Sequence, residues 1–163
     1  MSETLEPALP DLLDEQAERL MHRLCDKDLT VATAESCTGG MLAALLTDIE
    51  GAGHGFDRGF VTYTKESKTD LLEIPRDLLD HNDAVSATVA CAMAECALAR
   101  SKADLAIGIT GFAGPASEDC EEGLVHIALA RRDGWARPSG RAFRNAGPGR
   151  HQGEIPEGHA GDA

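Results

Sequence analysis

The chain has 163 residues, of which 42% are hydrophobic, so it is long enough for one domain with a single core. Its net charge of −13, with 15 lysines and arginines against 28 acidic residues, excludes nucleic acid as a main partner, because such binding needs a basic face. No apolar run approaches the roughly 20 residues that cross a bilayer, and the acidic start does not resemble a signal peptide, so we expect a cytoplasmic protein without membrane contact.

The first half of the chain alternates between helical and extended patterns. Apolar residues at three- and four-residue spacing predict the first helix, and short β-prone runs predict the strands. In chain order, the predicted elements are a helix at 10–27, a strand at 30–34, a helix at 41–49, a strand at 59–64 and a short helix at 65–74. Pro75 ends the last of these.

The second half begins with a helix that Ser86 caps and that reaches about Arg100. The run 104–110 is almost entirely apolar, which is typical of a strand buried on both faces. Two further strands at 123–130 and 135–144 flank a hairpin turn at Asp133-Gly134. This alternation predicts an α/β fold, a three-layer α/β/α sandwich with a mixed, largely parallel sheet.

The composition changes after residue 144. The segment 145–163 contains five glycines and two prolines, and Ile155 is its only sizeable apolar residue. Such a segment cannot bury enough apolar surface to order itself. We therefore expect one domain at 1–144 and a disordered or truncated tail at 145–163.

Ser36 lies between a predicted strand and a predicted helix, in the run Ala34–Gly40. The N–H groups at a helix start, unshielded beside Gly39 and Gly40, are suited to stabilising an oxyanion, so a serine there is well placed as a nucleophile. On geometry alone, a Ser/Thr/Gly run before a helix is more often an ordinary cap. Cys37 adjoins the serine and is a rival nucleophile.

Tyr63 is the only tyrosine, and Lys68 is one of just four lysines. Both follow the second predicted strand, where the chain leaves the sheet and a helix begins. They could reach a common pocket at that edge. The alternative is a packed tyrosine and a surface lysine on a solvated helix face.

A third candidate is the loop Thr110–Pro115, which follows the buried strand. In open α/β sheets ligands bind at the carboxyl ends of strands, and glycine N–H groups in such a loop can hold a phosphate. Many loops of this kind are only turns. The five cysteines include no Cys-x-x-Cys pair, and the six histidines are scattered, so neither a disulfide framework nor a metal site is predicted.

Four stretches together resemble the CinA C-terminal domain family, the competence/damage-inducible proteins. The stretches occur in order and at the family's spacing: Ala34-Glu35-Ser36-Cys37-Thr38-Gly39-Gly40, Gly59-Phe60-Val61-Thr62-Tyr63, Ala84-Val85-Ser86 and Thr110-Gly111-Phe112-Ala113-Gly114-Pro115. The resemblance runs from about residue 10 to residue 144. Active members of this family are nicotinamide mononucleotide deamidases.

The resemblance implies an amidohydrolase that converts nicotinamide mononucleotide to nicotinic acid mononucleotide and ammonia, without a metal or cofactor. It implies Ser36 as nucleophile, Lys68 as base and Tyr63 as a residue that helps relay protons and orient the other two. It also implies a homo-oligomer, a dimer or larger. The substrate-binding residues that it implies are Cys37, Thr38, Gly39, Gly40, Thr110, Gly111, Ala113, Gly114 and Arg150.

Two departures from the family pattern leave an alternative function open. Residues 116–122 include four acids where the family has a glycine-rich stretch leading to Lys-Pro-Val-Gly, and the family's closing helix has no counterpart after Arg150. Added negative charge near a substrate phosphate would oppose binding. The alternatives are a weak or inactive binding domain, or an amidase for a different, uncharged amide.

Overall fold

The computed structural model describes residues 11–82, 84–111 and 124–142. The elements, in chain order, are α1 (Asp11–Cys25), β1 (Val31–Glu35), α2 (Met41–Thr47), a short 3-10 helix (Gly53–Gly55), β2 (Phe56–Val61), α3 (Lys65–Leu72), α4 (Arg76–His81), α5 (Ala87–Ala99), β3 (Leu105–Gly111), β4 (Leu124–Arg131) and β5 (Trp135–Ala142).

The five strands form one sheet in the order β2-β1-β3-β4-β5. The first three strands are parallel, β4 is antiparallel to β3, and β5 is antiparallel to β4, so four of the five strands share one direction. Glu35 pairs with Val61 of β2 and with Ile109 of β3. The carboxyl ends of three adjacent strands therefore meet at one edge, and the turn after β1 lies in the middle of that edge.

Each face of the sheet buries its own hydrophobic core. One core joins α1 and α2 to the sheet through Met21, Leu24, Val31 and Leu46. The other joins α3, α4 and α5 to the opposite face, and the small side chains of α5 let that helix lie close to the sheet. Gly108 marks the closest approach, where a Cβ would collide with the carbonyl of Ala90. The predicted three-layer α/β/α sandwich with a mixed sheet is confirmed.

The predicted elements are largely confirmed, with two corrections. Strand β2 begins and ends three residues earlier than predicted, because its pairing with β1 stops at Val61 and the next residues turn towards α3. Helix α4 was not predicted, since Pro75 signals an end, but here it precedes a new six-residue helix instead. Ser86 caps α5 as predicted, by accepting a hydrogen bond from the Val89 N–H.

Two further predictions concern the C-terminal tail and membrane contact. The tail at 145–163 lies outside the described residues. Among the helices of the described ranges, none combines the length and the apolar character that a membrane crossing requires.

Candidate active site

Ser36 lies in the turn after β1 and is buried, with 7% of its surface exposed. Its N–H donates to the Ile109 carbonyl at 3.0 Å, and its own carbonyl accepts from the Gly39 N–H at 3.2 Å. Gly39 and Gly40 adopt positive φ angles of 60° and 98°, which let the chain reverse into α2 within a few residues. The serine is thus fixed through its main chain on both sides.

The side chain of Ser36 does not cap α2. Gly40 occupies the cap position, the Met41 N–H donates to the Thr38 carbonyl, and the carboxylate of Glu35 accepts from the next two N–H groups of the helix, those of Leu42 and Ala43. The capping interpretation of Ser36 is therefore wrong, and its hydroxyl is left for another partner.

That partner is Lys68, whose Nζ lies 2.9 Å from the Ser36 Oγ. Thr64 caps α3 by accepting a hydrogen bond from the Ser67 N–H, and Lys68, the residue after Ser67, is one of the buried residues of this helix. Lys68 is only 1% exposed, and its Nζ also donates to the Tyr63 carbonyl at 2.9 Å. The surface-lysine interpretation is wrong, and two residues 32 positions apart in the sequence form a buried Ser-Lys pair.

Burial changes the ionisation of the groups around this pair. It lowers the pKa of Lys68, although the nearby Cys37 thiol opposes that effect. Burial also raises the pKa of Cys37, an effect that the N–H groups of Cys37 and Thr38 and the charge of Lys68 only partly offset. A lysine with a lowered pKa is a better base near neutral pH, while a thiol with a raised pKa yields less thiolate. The first shift suits Lys68 to accept a proton, and the second disfavours Cys37 as a thiolate nucleophile.

Tyr63 lies beside the pair through its main chain only. Its carbonyl holds Lys68, and its N–H donates to the Ser67 hydroxyl at 3.0 Å. The residue is 76% exposed, and no hydrogen bond within the described residues involves its phenol. The Tyr63 carbonyl thus holds Lys68 in place, whereas the predicted proton relay through the hydroxyl has no contact in support within the described residues.

The residues implied for substrate binding after Ser36 divide into two groups. The Thr38 hydroxyl and the Gly40 N–H both donate to Glu35, at 2.6 and 3.2 Å, and the Gly39 N–H donates within the turn. These donors maintain the turn. The N–H groups of Cys37 and Thr38 have no main-chain acceptor among the described residues, and they lie beside the Cys37 thiol.

The predicted residues of the β3 loop reach the site only in part. The Thr110 hydroxyl donates to the Ala84 carbonyl at 2.9 Å, which ties β3 to the segment before α5. At Gly111 a Cβ would lie 2.7 Å from the Leu124 carbonyl and 3.0 Å from the Cys37 sulfur, so only glycine fits there. The remaining predicted residues, Ala113, Gly114 and Arg150, lie outside the described residues.

The sequence did not single out Glu35, which the structure places directly behind the turn. It is fully buried, and its carboxylate accepts four hydrogen bonds from the turn and from α2. One signal was available: an acidic residue at the end of an apolar strand, just before a helix whose first turn contains no acid.

Comparison with known proteins identifies the family. A model of the CinA C-terminal domain matches residues 13–158. This chain belongs to the CinA C-terminal domain family. Solved structures agree with the assignment: competence/damage inducible protein CihA from Agrobacterium tumefaciens matches with a TM-score of 0.81 and 40% identity, over 87% of each chain. A CinA superfamily protein from Escherichia coli matches with a TM-score of 0.78 and 34% identity, over 86% of this chain and 83% of its own.

Longer relatives contain this domain as a part. A CinA-like protein of Geobacter sulfurreducens is 47% identical over 124 residues, which are 75% of this chain and 29% of the relative. A CinA-like protein of Colwellia psychrerythraea is 45% identical over 119 residues, 72% of this chain and 28% of the relative. This CinA-family chain spans under a third of the length of these curated relatives.

Proposed function

We propose that this CinA-family domain is a serine amidohydrolase, with Ser36 as nucleophile and Lys68 as general base. The observation that carries the proposal is the 2.9 Å contact between the Lys68 Nζ and the Ser36 Oγ, made by two buried side chains. A serine hydroxyl becomes a useful nucleophile only when a nearby base removes its proton. A desolvated lysine meets that requirement, because burial lowers its pKa.

The acylation half-reaction follows from these contacts. Neutral Lys68 keeps one N–H on the Tyr63 carbonyl and accepts the Ser36 proton on its lone pair, while the Ser36 Oγ attacks the carboxamide carbon. The N–H groups of Cys37 and Thr38, which have no main-chain acceptor among the described residues, are the donors that we assign to the oxyanion. The protonated Lys68 then gives its proton to the departing nitrogen, and ammonia leaves an acyl-Ser36 ester.

Deacylation repeats the proton transfers with water. Lys68 takes a proton from a water molecule as its oxygen attacks the ester carbon, and the same proton returns to the Ser36 Oγ when the acid leaves. One amide and one water thus give one carboxylic acid and one ammonia. The sequence contains no Gly-x-Ser-x-Gly elbow around Ser36, which is in keeping with a serine–lysine mechanism rather than that of an α/β-hydrolase.

The substrate of the proposal is nicotinamide mononucleotide, on the strength of the family motifs around Ser36 and Thr110. The names of the relatives do not specify a substrate. With a net charge of −13, the domain must bind the substrate phosphate through local donors. A cytoplasmic location and a homo-oligomeric assembly complete the proposal.

The direct test is ammonia release from nicotinamide mononucleotide by purified protein, with nicotinic acid mononucleotide identified as the second product. Ser36→Ala should abolish turnover. Ser101→Ala is the matched control, because this serine lies at the far end of α5, where its hydroxyl bonds the Leu98 carbonyl, and its loss should leave turnover intact. Unchanged turnover in Ser36→Ala would show that Ser36 is not the nucleophile and would refute the proposal.

The same experiment separates the competing functions. Nucleotide binding measured by calorimetry without ammonia release would indicate the inactive binding domain. Ammonia release from an uncharged amide, but not from the nucleotide, would keep the Ser-Lys chemistry and replace the substrate.

A further inference from the structure

A buried carboxylate lies directly behind the nucleophile turn. Glu35 is 0% exposed, and its Oε2 accepts from the Thr38 hydroxyl at 2.6 Å, the Gly40 N–H at 3.2 Å and the Leu42 N–H at 3.1 Å. Its Oε1 accepts from the Ala43 N–H at 2.8 Å. One side chain therefore joins the end of β1, the turn and the first residues of α2.

Glu35 and Ser36 are adjacent, and their side chains contact opposite layers of the sandwich. Successive side chains of a strand point to opposite faces. The Ser36 hydroxyl contacts Lys68 of α3, whereas the Glu35 carboxylate contacts α2. Glu35 thus makes no hydrogen bond to either member of the Ser-Lys pair, and its own hydrogen bonds act on the reaction through the backbone of the turn.

The four hydrogen bonds also determine which donors of the turn remain free. Glu35 takes the N–H groups of Gly40, Leu42 and Ala43, which would otherwise be the orphan donors of a helix start. The N–H groups of Cys37 and Thr38 are left without a main-chain acceptor in the described part of the chain. The carboxylate therefore separates the donors that hold the turn from the two donors that lie beside the Cys37 thiol.

We propose that Glu35 is a positioning residue: its buried carboxylate fixes the turn so that the Ser36 Oγ stays within reach of Lys68 and the Cys37 and Thr38 N–H groups stay directed at the reacting carbonyl. The inference rests on the proposed function only in taking Ser36 as the nucleophile. It requires no particular substrate. Small displacements of a reacting group are costly, since about 1 Å of misplacement can slow a reaction 100-fold.

The test uses phenylmethanesulfonyl fluoride, which labels activated serines. Oγ forms a bond to sulfur, fluoride leaves, and the serine proton passes to the base. Glu35→Gln keeps the size of the side chain but places an NH₂ group against one of the bound donors in either orientation of the amide. We expect the labelling rate of Ser36, followed by intact mass on folded protein, to fall at least about tenfold.

Two further readouts distinguish positioning from other roles. In Thr38→Val, which keeps the Glu35 carboxylate and loses one hydrogen bond to it, the rate should fall by the same factor at every pH, and a shifted pH profile would mean that the turn acts on the base instead. Asp104→Asn is the matched control. The Asp104 carboxylate also accepts hydrogen bonds from a main-chain N–H and a hydroxyl, both of Thr30, but it does so just before β1, at the end of the strand opposite to the site. This variant should lose stability and keep the wild-type labelling rate.

A milder variant covers the case in which Glu35→Gln does not fold. Thr38→Val removes only the 2.6 Å hydrogen bond, keeps the shape of the side chain, and should slow labelling several-fold. Wild-type labelling rates in whichever of these variants fold would overturn the inference. Labelling of wild-type Ser36 without release of ammonia from nicotinamide mononucleotide would refute the substrate alone, whereas no labelling of wild-type Ser36 would refute both proposals.

Discussion

Replacing Lys68 with methionine separates the catalytic use of this residue from its effect on folding. Methionine has a similar length and bulk but carries no charge and no proton. A positioned general base contributes about 10²–10⁴-fold to a rate, so we expect Lys68→Met to lose activity by at least that factor. Lys68→Arg should be nearly as inactive, because arginine does not release its proton near neutral pH.

The stability of the methionine variant depends on two opposing effects. It loses the hydrogen bonds from Nζ to the Ser36 Oγ and the Tyr63 carbonyl, at about 1 kcal/mol each. It also removes a cation that is only 1% exposed, and each pKa unit by which burial lowers the pKa of Lys68 corresponds to about 1.4 kcal/mol. Because these effects oppose each other, we expect Lys68→Met to lose less stability at pH 7 than the two hydrogen bonds alone would cost.

The difference in stability should change with pH in one direction. The unfolded chain retains the Lys68 proton up to the ordinary pKa of 10.5, whereas the folded protein releases it at lower pH because burial lowers that pKa. Between the two values the unfolded state binds more protons, so the wild type gains stability relative to Lys68→Met as pH rises. Below the folded pKa, the wild type carries the full cost of the buried charge.

Urea unfolding between pH 6 and pH 10, paired with ammonia release, measures both parts of this prediction. Lys65→Met is the control, because this lysine begins the same helix and forms a surface ion pair with Asp80 at 2.8 Å. Such a pair contributes about 0–1 kcal/mol, and its loss should leave the activity and the pH dependence unchanged. A stability difference between wild type and Lys68→Met that does not vary with pH, or nearly full activity in that variant, would refute the reasoning.

Three further substitutions test the surroundings of the pair. Tyr63→Phe should retain most of the ammonia-release rate, because the exposed phenol makes no hydrogen bond within the described residues, and a loss as large as that of Lys68→Met would restore the proton relay. Gly111→Ala should lower the free energy of unfolding by about 1–3 kcal/mol in urea titrations, because its Cβ would lie 2.7 Å from the Leu124 carbonyl. Cys37→Ala should stay active and resist iodoacetamide. The reagent should inactivate the wild type faster as pH rises, since burial raises the thiol pKa and the thiolate forms only at higher pH. Loss of activity in Cys37→Ala itself would instead support the thiol as nucleophile.

Local sequence was enough to predict most of the fold. The apolar spacing of α1, the Ser86 cap of α5 and the apolar run of β3 each reflect interactions within a few residues of the chain. The order of these elements then restricts the architecture to a layered α/β fold. Helix α4 was not predicted because it is short and follows a proline. Its buried Leu79 contacts residues of other elements, which come together only in the folded core.

The sequence alone also determined where the reactive turn lies and which family the domain resembles, because both depend on contiguous residues such as the run Ala34–Gly40. Tertiary structure decided the rest of the site. No local pattern shows that Lys68 is buried or that it contacts Ser36, since that contact requires β2 to pair with β1 and α3 to fold back over the sheet edge. The burial that lowers the Lys68 pKa, the exposure of the Tyr63 phenol and the four hydrogen bonds of Glu35 likewise exist only once distant elements have packed together.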